Sequence, residues 1–355
     1  MKLTSLHKHS LPTGALGLAL EPDGERAFVA TADGRVSRVE LATGEAVSLA
    51  GRHDSYASGC VLLPDGQTLI SGGYDGQLIW HDLPTGQETR RVRAHRFWSW
   101  QLALAPDGRR LASSTGQYLP GGWKYEPAAA TEAGVKVFDT VSGELLADFS
   151  HTPPVLSCAF SRDGSHLAAA NLLGEVRIWN LEAGPGAAPV ASWTSPDFTS
   201  WGTIKSHHYC GGIYGLAFSP DNAALLGCGM GPMTDPMAGN GKMTWQRWNW
   251  QTGERLDQIK DGQHGTGLME TVAWSPDGTH FVMAGRQAQG TWNAAIFSAA
   301  DGSLIHSEDA KNRITQARFS ADGQQLILAG ASAQPQPKAG EWPSWGRVQI
   351  YRVEA

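Results

Sequence analysis

Leu62-Leu-Pro-Asp-Gly66, followed by Leu69-Ile-Ser-Gly-Gly-Tyr-Asp-Gly76 and then Trp80-His-Asp82-Leu-Pro-Thr-Gly86, decides how this sequence folds. Pro presets φ for the first central position of a turn, and Gly tolerates the positive φ that closes a hairpin. The apolar stretches on either side of Pro64-Asp-Gly66 therefore read as two antiparallel strands. The same cassette stands at Leu20-Glu-Pro-Asp-Gly24, Leu104-Ala-Pro-Asp-Gly108, Phe160-Ser-Arg-Asp-Gly164, Phe218-Ser-Pro-Asp-Asn222, Trp274-Ser-Pro-Asp-Gly278 and Phe319-Ser-Ala-Asp-Gly323. Its seven Asp residues are spaced 42, 42, 56, 58, 56 and 45 apart. A second turn follows downstream, as in Asp139-Thr-Val-Ser-Gly143 and Asn249-Trp-Gln-Thr-Gly253. Alternation such as Glu175-Val-Arg-Ile-Trp-Asn180 marks the strands. Four strands in a repeat, seven times over, predict an all-β chain folded as a seven-bladed β-propeller of four-stranded antiparallel blades.

The repeat sets blade boundaries near 14–56, 57–98, 99–153, 154–211, 212–266, 267–312 and 313–355, within a single domain spanning 1–355. The last blade supplies strands near 313–320, 325–331 and 347–353, so its fourth strand must come from residues 2–9. That segment ends in His9, as the other fourth strands end in His53, His95, His151 and His264. Pairing the first residues with the last would close the ring and leave no open edge.

Composition narrows the function. The 28 Lys and Arg against 34 Asp and Glu give a net charge of −6, which excludes a nucleic-acid or acidic-lipid binder driven by bulk charge. At 41% hydrophobic residues the chain can bury a large core. No apolar run approaches the ~18 residues of a membrane span. Lys2 and Lys8 followed by an apolar stretch imitate a signal peptide, but Pro12, Gly14 and Gly17 interrupt it and it matches a repeat strand. The chain is therefore expected to be cytoplasmic. Cys60 and Cys158 share one repeat position, and the four cysteines read as small buried packing rather than a disulfide or redox framework. His207 and His208 near Cys210 lack the spacing of a zinc site, so neither a metal nor a cofactor is expected.

These residues resemble the WD40-repeat family over the whole chain, which implies the propeller fold and a role in binding proteins. The family's usual hydrogen-bonded set joins a loop His, a strand Ser or Thr, a turn Asp and a strand Trp. The resemblance gives His53, Ser71 and Asp75 that structural role, with His81 standing where Trp would. Blade 4 keeps His151 and Trp179 but has Ala169 and Leu173 in the other two positions, and His95 is the corresponding loop residue of blade 3. No Trp-Asp dipeptide occurs.

Surplus length falls unevenly. From the first-turn Asp to the third-strand aromatic position is 16 residues in blades 1, 2 and 4, but 31, 27, 20 and 29 in blades 3, 5, 6 and 7. Blade 4 carries its surplus after the fourth strand, at 195–211. In an up-and-down blade the b–c and d–a connections emerge on one face, so blades 3–7 thicken the same rim. Seven of the 14 Trp residues map to these connections: Trp98, Trp100, Trp123, Trp201, Trp292, Trp342 and Trp345. Long loops need small cores of their own, which accounts for a Trp taken singly. The set as a whole predicts a partly exposed aromatic crescent at the channel mouth, marking a binding face. Tyr125 and Tyr214 join it, and Glu270 and Arg313, each near the start of an inner strand, supply polar groups.

The favoured function is a platform for a protein partner, bound through this aromatic rim. Alternatives are a carbohydrate or small-molecule binder at the channel mouth, since flat indoles suit sugar C–H groups, and a propeller lactonase or lyase. No GxSxG, HExxH or nucleophile–base pair is present to favour the enzyme, and no catalytic residue is assigned.

Overall fold

The computed structural model describes residues 1–116, 132–200, 210–235, 240–333 and 343–354. They are almost wholly β, the only helix among them being two single 3-10 turns, Leu181–Ala183 and Pro196–Phe198. Five four-stranded antiparallel sheets form. The first comprises Ala15–Leu20, Arg26–Thr31, Val36–Glu40 and Ala46–Ser48. The second comprises Ala57–Leu62, Thr68–Gly73, Gln77–Asp82 and Gln87–Arg93. The third holds Ser99–Leu104, Arg110–Thr115, Val135–Asp139 and Leu145–Phe149. The fourth holds Val155–Phe160, His166–Asn171, Glu175–Asn180 and Ala191–Thr194. The last joins Arg313–Phe319, Gln325–Ala331 and Gly346–Glu354 to Lys2–Leu11 from the other end of the chain.

Local chemistry explains the hairpins. In all seven cassettes the Asp Oδ1 accepts the backbone N–H two residues ahead, as from Glu25 to Asp23 at 2.9 Å and from Thr279 to Asp277 at 3.0 Å. The residue after each Asp has positive φ, from 61° at Asn222 to 73° at Gly24. Such self-bonding Asx turns fix the reversal before any long-range contact forms. Where the cassette carries Ser, its hydroxyl adds a bond to the same carboxylate: Ser161, Ser219, Ser275 and Ser320 donate to Asp163, Asp221, Asp277 and Asp322 at 2.5–2.6 Å. These bonds hold the Asp163 and Asp277 carboxyls down to about 2.

Two expectations need correction. The fifth and sixth repeats do not form separate sheets but one nine-stranded sheet, because Gly241 and Lys242 pair with Gly267 and Thr266. The Gly-rich surplus of the fifth repeat extends its hairpin into a two-stranded ribbon, Ala224–Asp235 against Asn240–Asn249, which reaches the next repeat. A Cβ on Gly241 would run into the Gly231 carbonyl, so glycine is what permits the approach. Second, His9 is not equivalent to His53 and His95. It lies inside a strand that continues to Leu11, and its Nε2 bonds the Leu41 carbonyl at 2.7 Å. The carbonyl that crowds the third-strand glycine is His53 at Gly34 and His95 at Gly76, and at Gly346 it is Thr13.

The core is divided between sheets. Among the described residues seven apolar clusters occur, each built from two successive repeats. One combines Leu11, Val348 and Ile350 of the last sheet with Leu18 and Val29 of the first. The inner strands also follow one another side by side, each touching the next, and Arg313–Phe319 touches Ala15–Leu20. Cys60 and Cys158 are buried in two of these clusters, as their shared position implied.

Lys2–Leu11 pairs with Gly346–Glu354 along its whole length and buries Leu3 and Leu11. Each buried leucine is worth about 1.5–3 kcal/mol. Deleting residues 1–11 is therefore expected to destabilise the protein by about 3 kcal/mol or more in urea unfolding; an unchanged midpoint would contradict this pairing.

Candidate functional site

The site is built outward from the second sheet. His53 Nδ1 lies 3.0 Å from Asp75 Oδ1 and its Nε2 lies 3.0 Å from Ser71 Oγ, the geometry expected of these three residues. His81, standing in place of Trp, completes the chain: its Nε2 is 2.9 Å from Ser71 Oγ and its Nδ1 is 2.9 Å from the Ala50 carbonyl. A carbonyl only accepts, so His81 carries its proton on Nδ1 and its Nε2 accepts the Ser71 hydroxyl. Asp75, a carboxylate, accepts from His53 Nδ1. Burial alone would raise the Asp75 carboxyl, but the bond from His53, with its charge, leaves it below its ordinary value. Asp75 also accepts the backbone N–H groups of Asp54 and Gln77, which locks the turn between Thr68–Gly73 and Gln77–Asp82.

That locked turn carries Tyr74 at its tip. The Tyr74 ring stacks on Trp98 at 4.6 Å and 12° and on Trp100 at 5.4 Å and 15°. Phe97 stacks on Trp98 at 4.6 Å, and Tyr56, 49% exposed, approaches Tyr74 at 5.6 Å. The b–c turn of the second sheet and the two connections that flank it thus meet on one face. Burial in this stack pushes the Tyr74 hydroxyl up to about 12. Below the stack, Tyr74, Trp100, Tyr214, Glu270 and Arg313 line a cavity of about 80 Å³. Arg313 Nε and Nη2 donate to Glu270 Oε1 and Oε2, both at 2.6 Å, so the two charges satisfy one another.

The sequence-derived set divides accordingly. Trp98, Trp100, Tyr214, Glu270 and Arg313 come together around the cavity and its rim. Trp292 does not belong with them: it is 5% exposed and packs edge-on against Phe297 within the core of the fifth and sixth repeats. Trp345 lies over Gly14, sealing the last repeat onto the first. Trp123, Tyr125, Trp201 and Trp342 lie outside the described residues. Tyr56 and Tyr74 went unnoticed because Tyr74 sits inside a motif whose other residues had a structural role.

The other loop histidines are structural too. His95 Nε2 is 2.9 Å from Ser113 Oγ, and its Nδ1 faces Glu132 at 3.6 Å, so a glutamate from the long connection substitutes for the turn Asp. Burial opposes ionisation of Glu132, but bonds to His95 and Lys136 outweigh it and hold the carboxyl at about 2. His151 Nε2 meets the Ala169 carbonyl at 3.3 Å, and its ring sits edge-on to Trp179 at 6.0 Å. No group of three His, Cys, Asp or Glu side chains that could hold a metal occurs among the described residues.

Two stretches, residues 47–82 and 143–180, match the WD40 family, described as WD domain, G-beta repeat. The first contains the complete His53–Ser71–Asp75–His81 chain. Two segments of the chain thus carry WD40 repeats. A relative is the SAGA complex/transcription factor TFIID complex subunit Taf5 of Schizosaccharomyces pombe, 32% identical over 81 residues. Those residues make up 22% of this chain and 12% of that relative, so the similarity spans a small part of both. Among the described residues, no helix is long and apolar enough to cross a membrane.

The buried imidazoles make stability depend on pH. Burial draws His81 down to about 4 and His151 to about 3. Unfolding restores both toward about 6.5, so below that pH the unfolded chain binds more protons. Their contribution is complete above pH ~6.5 and is lost as the pH falls toward these folded values. Urea unfolding is expected to show a loss of about 2 kcal/mol per histidine between pH ~7.5 and ~5; equal stability at the two values would contradict the neutral, buried assignment.

Proposed function

We propose that the chain is a seven-bladed β-propeller, closed into a ring by Lys2–Leu11, and that it works as a protein-interaction platform. The partner docks on the face where the b–c and d–a connections emerge, with Tyr56, Trp98 and the edges of Tyr74 and Trp100 as its anchors. Seven clusters between successive repeats, one of them joining last to first, support the ring. The observation that carries the function is the Tyr74–Trp98–Trp100 stack, which presents aromatic surface on a turn that cannot move. Aromatic side chains held rigid before binding lose little entropy on association and dominate interface energies. The WD40 repeats and a relative named as a subunit of multiprotein complexes point the same way.

The test is affinity capture from the native host with wild-type protein and a Tyr56→Ala/Trp98→Ala double variant. One protein recovered stoichiometrically by wild type is expected to fall about tenfold or more with the variant. Val141→Ser, at a 77% exposed position on a c–d turn, is expected to change nothing. Equal recovery by the double variant would overturn the assignment of this face.

A further inference from the structure

A second cavity, about 450 Å³, continues from the first and shares Leu18, Cys60, Gln101, Leu102, Gln316 and Arg318 with it. Every one of the seven inner strands contributes to its wall. Its size falls in the range of about 300–1,000 Å³ typical of small-molecule sites. Its lining mixes polar surface with apolar side chains, among them Leu62, Leu104, Phe160 and Val272, and its charged residues are Arg162 and Arg318, with no Asp or Glu.

Arg318 is anomalous in electrostatic terms. It forms no ion pair with a described residue, and its Nη1 donates only to the neighbouring Ala317 carbonyl at 2.8 Å. Cys60 is the one group whose charge would favour the guanidinium, yet burial pushes that thiol up to about 12, so it is neutral near pH 7. Burial also draws the Arg318 guanidinium below its ordinary value. Arg318 is half-buried, and with no counter-charge beside it the guanidinium is free to pair with an anion that enters the chamber. Gln316, two residues earlier and so on the same side of the strand, carries a buried Oε1 with no partner. A cation without a counter-charge and an amide therefore face one chamber that holds no carboxylate.

We propose that this chamber binds a small carboxylate with an apolar body, its carboxylate on Arg318 and Gln316 and its body against the leucine and phenylalanine walls. Gln316 takes part through its Nε2 donors, since an ionised carboxylate only accepts and cannot meet the Gln316 Oε1. Inorganic anions would satisfy Arg318 but leave the apolar wall unused, which is why an amphiphilic carboxylate is the better fit. The Glu270–Arg313 pair lines the adjoining cavity, and its charges are already matched.

The experiment is isothermal titration calorimetry of the full chain with octanoate, octan-1-ol and inorganic phosphate. Octanoate is expected to bind at one equivalent, at least about tenfold tighter than octan-1-ol, because its carboxylate adds a charge-assisted hydrogen bond from Arg318. Arg318→Met is expected to reduce octanoate affinity about tenfold or more while leaving the ligand-free melting temperature unchanged or higher. Octanol binding as tightly as octanoate, octanoate binding equally to the variant, or no octanoate heat would each overturn the proposal. Phosphate binding more tightly than octanoate would overturn it as well, in favour of an inorganic anion. The comparison of octanoate with octanol needs wild-type protein alone, so it decides the matter even if Arg318→Met does not fold.

Discussion

A four-stranded sheet of alternating side chains has two faces to cover, and here each is covered by the sheet before it and the sheet after it. None of the clusters belongs to one repeat. Phe149 of the third repeat is buried with Trp179 of the fourth, and Trp245 of the fifth with Phe281 of the sixth. Burial between neighbours, about 25 cal/mol for each Å² of apolar surface, is the term on which the architecture depends. It also explains why the first strand is held by the last sheet. Without Lys2–Leu11, Leu3 would leave the cluster it shares with Val282 and Tyr351, and Leu11 the one it shares with Val29.

The parts of this structure that were legible in the sequence are those governed by local chemistry. Pro-Asp-Gly specifies its turn through an Asx bond and a positive φ, so all seven hairpins could be placed from five residues each. The His53–Ser71–Asp75 chain was legible because the three side chains sit at fixed offsets around one turn. What failed depended on space rather than offset. His9 has the residue type of a loop histidine, but strand pairing runs two residues past it. Trp292 lies in a connection, yet the sixth repeat folds it back onto Phe297. The Gly-rich stretch after Cys228 carries no apolar alternation, and only the backbone approach of Gly241 to Gly231 shows why it pairs as a ribbon.

Rigidity and the proposed docking face meet in one turn. Asp75 fixes the backbone from Asp54 to Gln77, and Tyr74 rides on that fixed segment into the stack with Trp98 and Trp100. An imidazole at position 81 keeps the chain intact where an indole usually stands, because it offers a nitrogen to Ser71 and another to the Ala50 carbonyl. The aromatic rim and the cationic chamber beneath it then use different physics. The rim offers apolar area at low entropic cost, whereas the chamber holds a charge that the fold itself leaves unmatched.

The central claim is that the two chain ends are strands of one interior-like sheet, and amide hydrogen exchange tests it most directly. If Lys2–Leu11 closes the fold, its paired amides will exchange as slowly as those of Gln325–Ala331 in the same sheet. Exchange of residues 2–11 at the rate of a frayed terminus, with 325–331 still protected, would contradict the account.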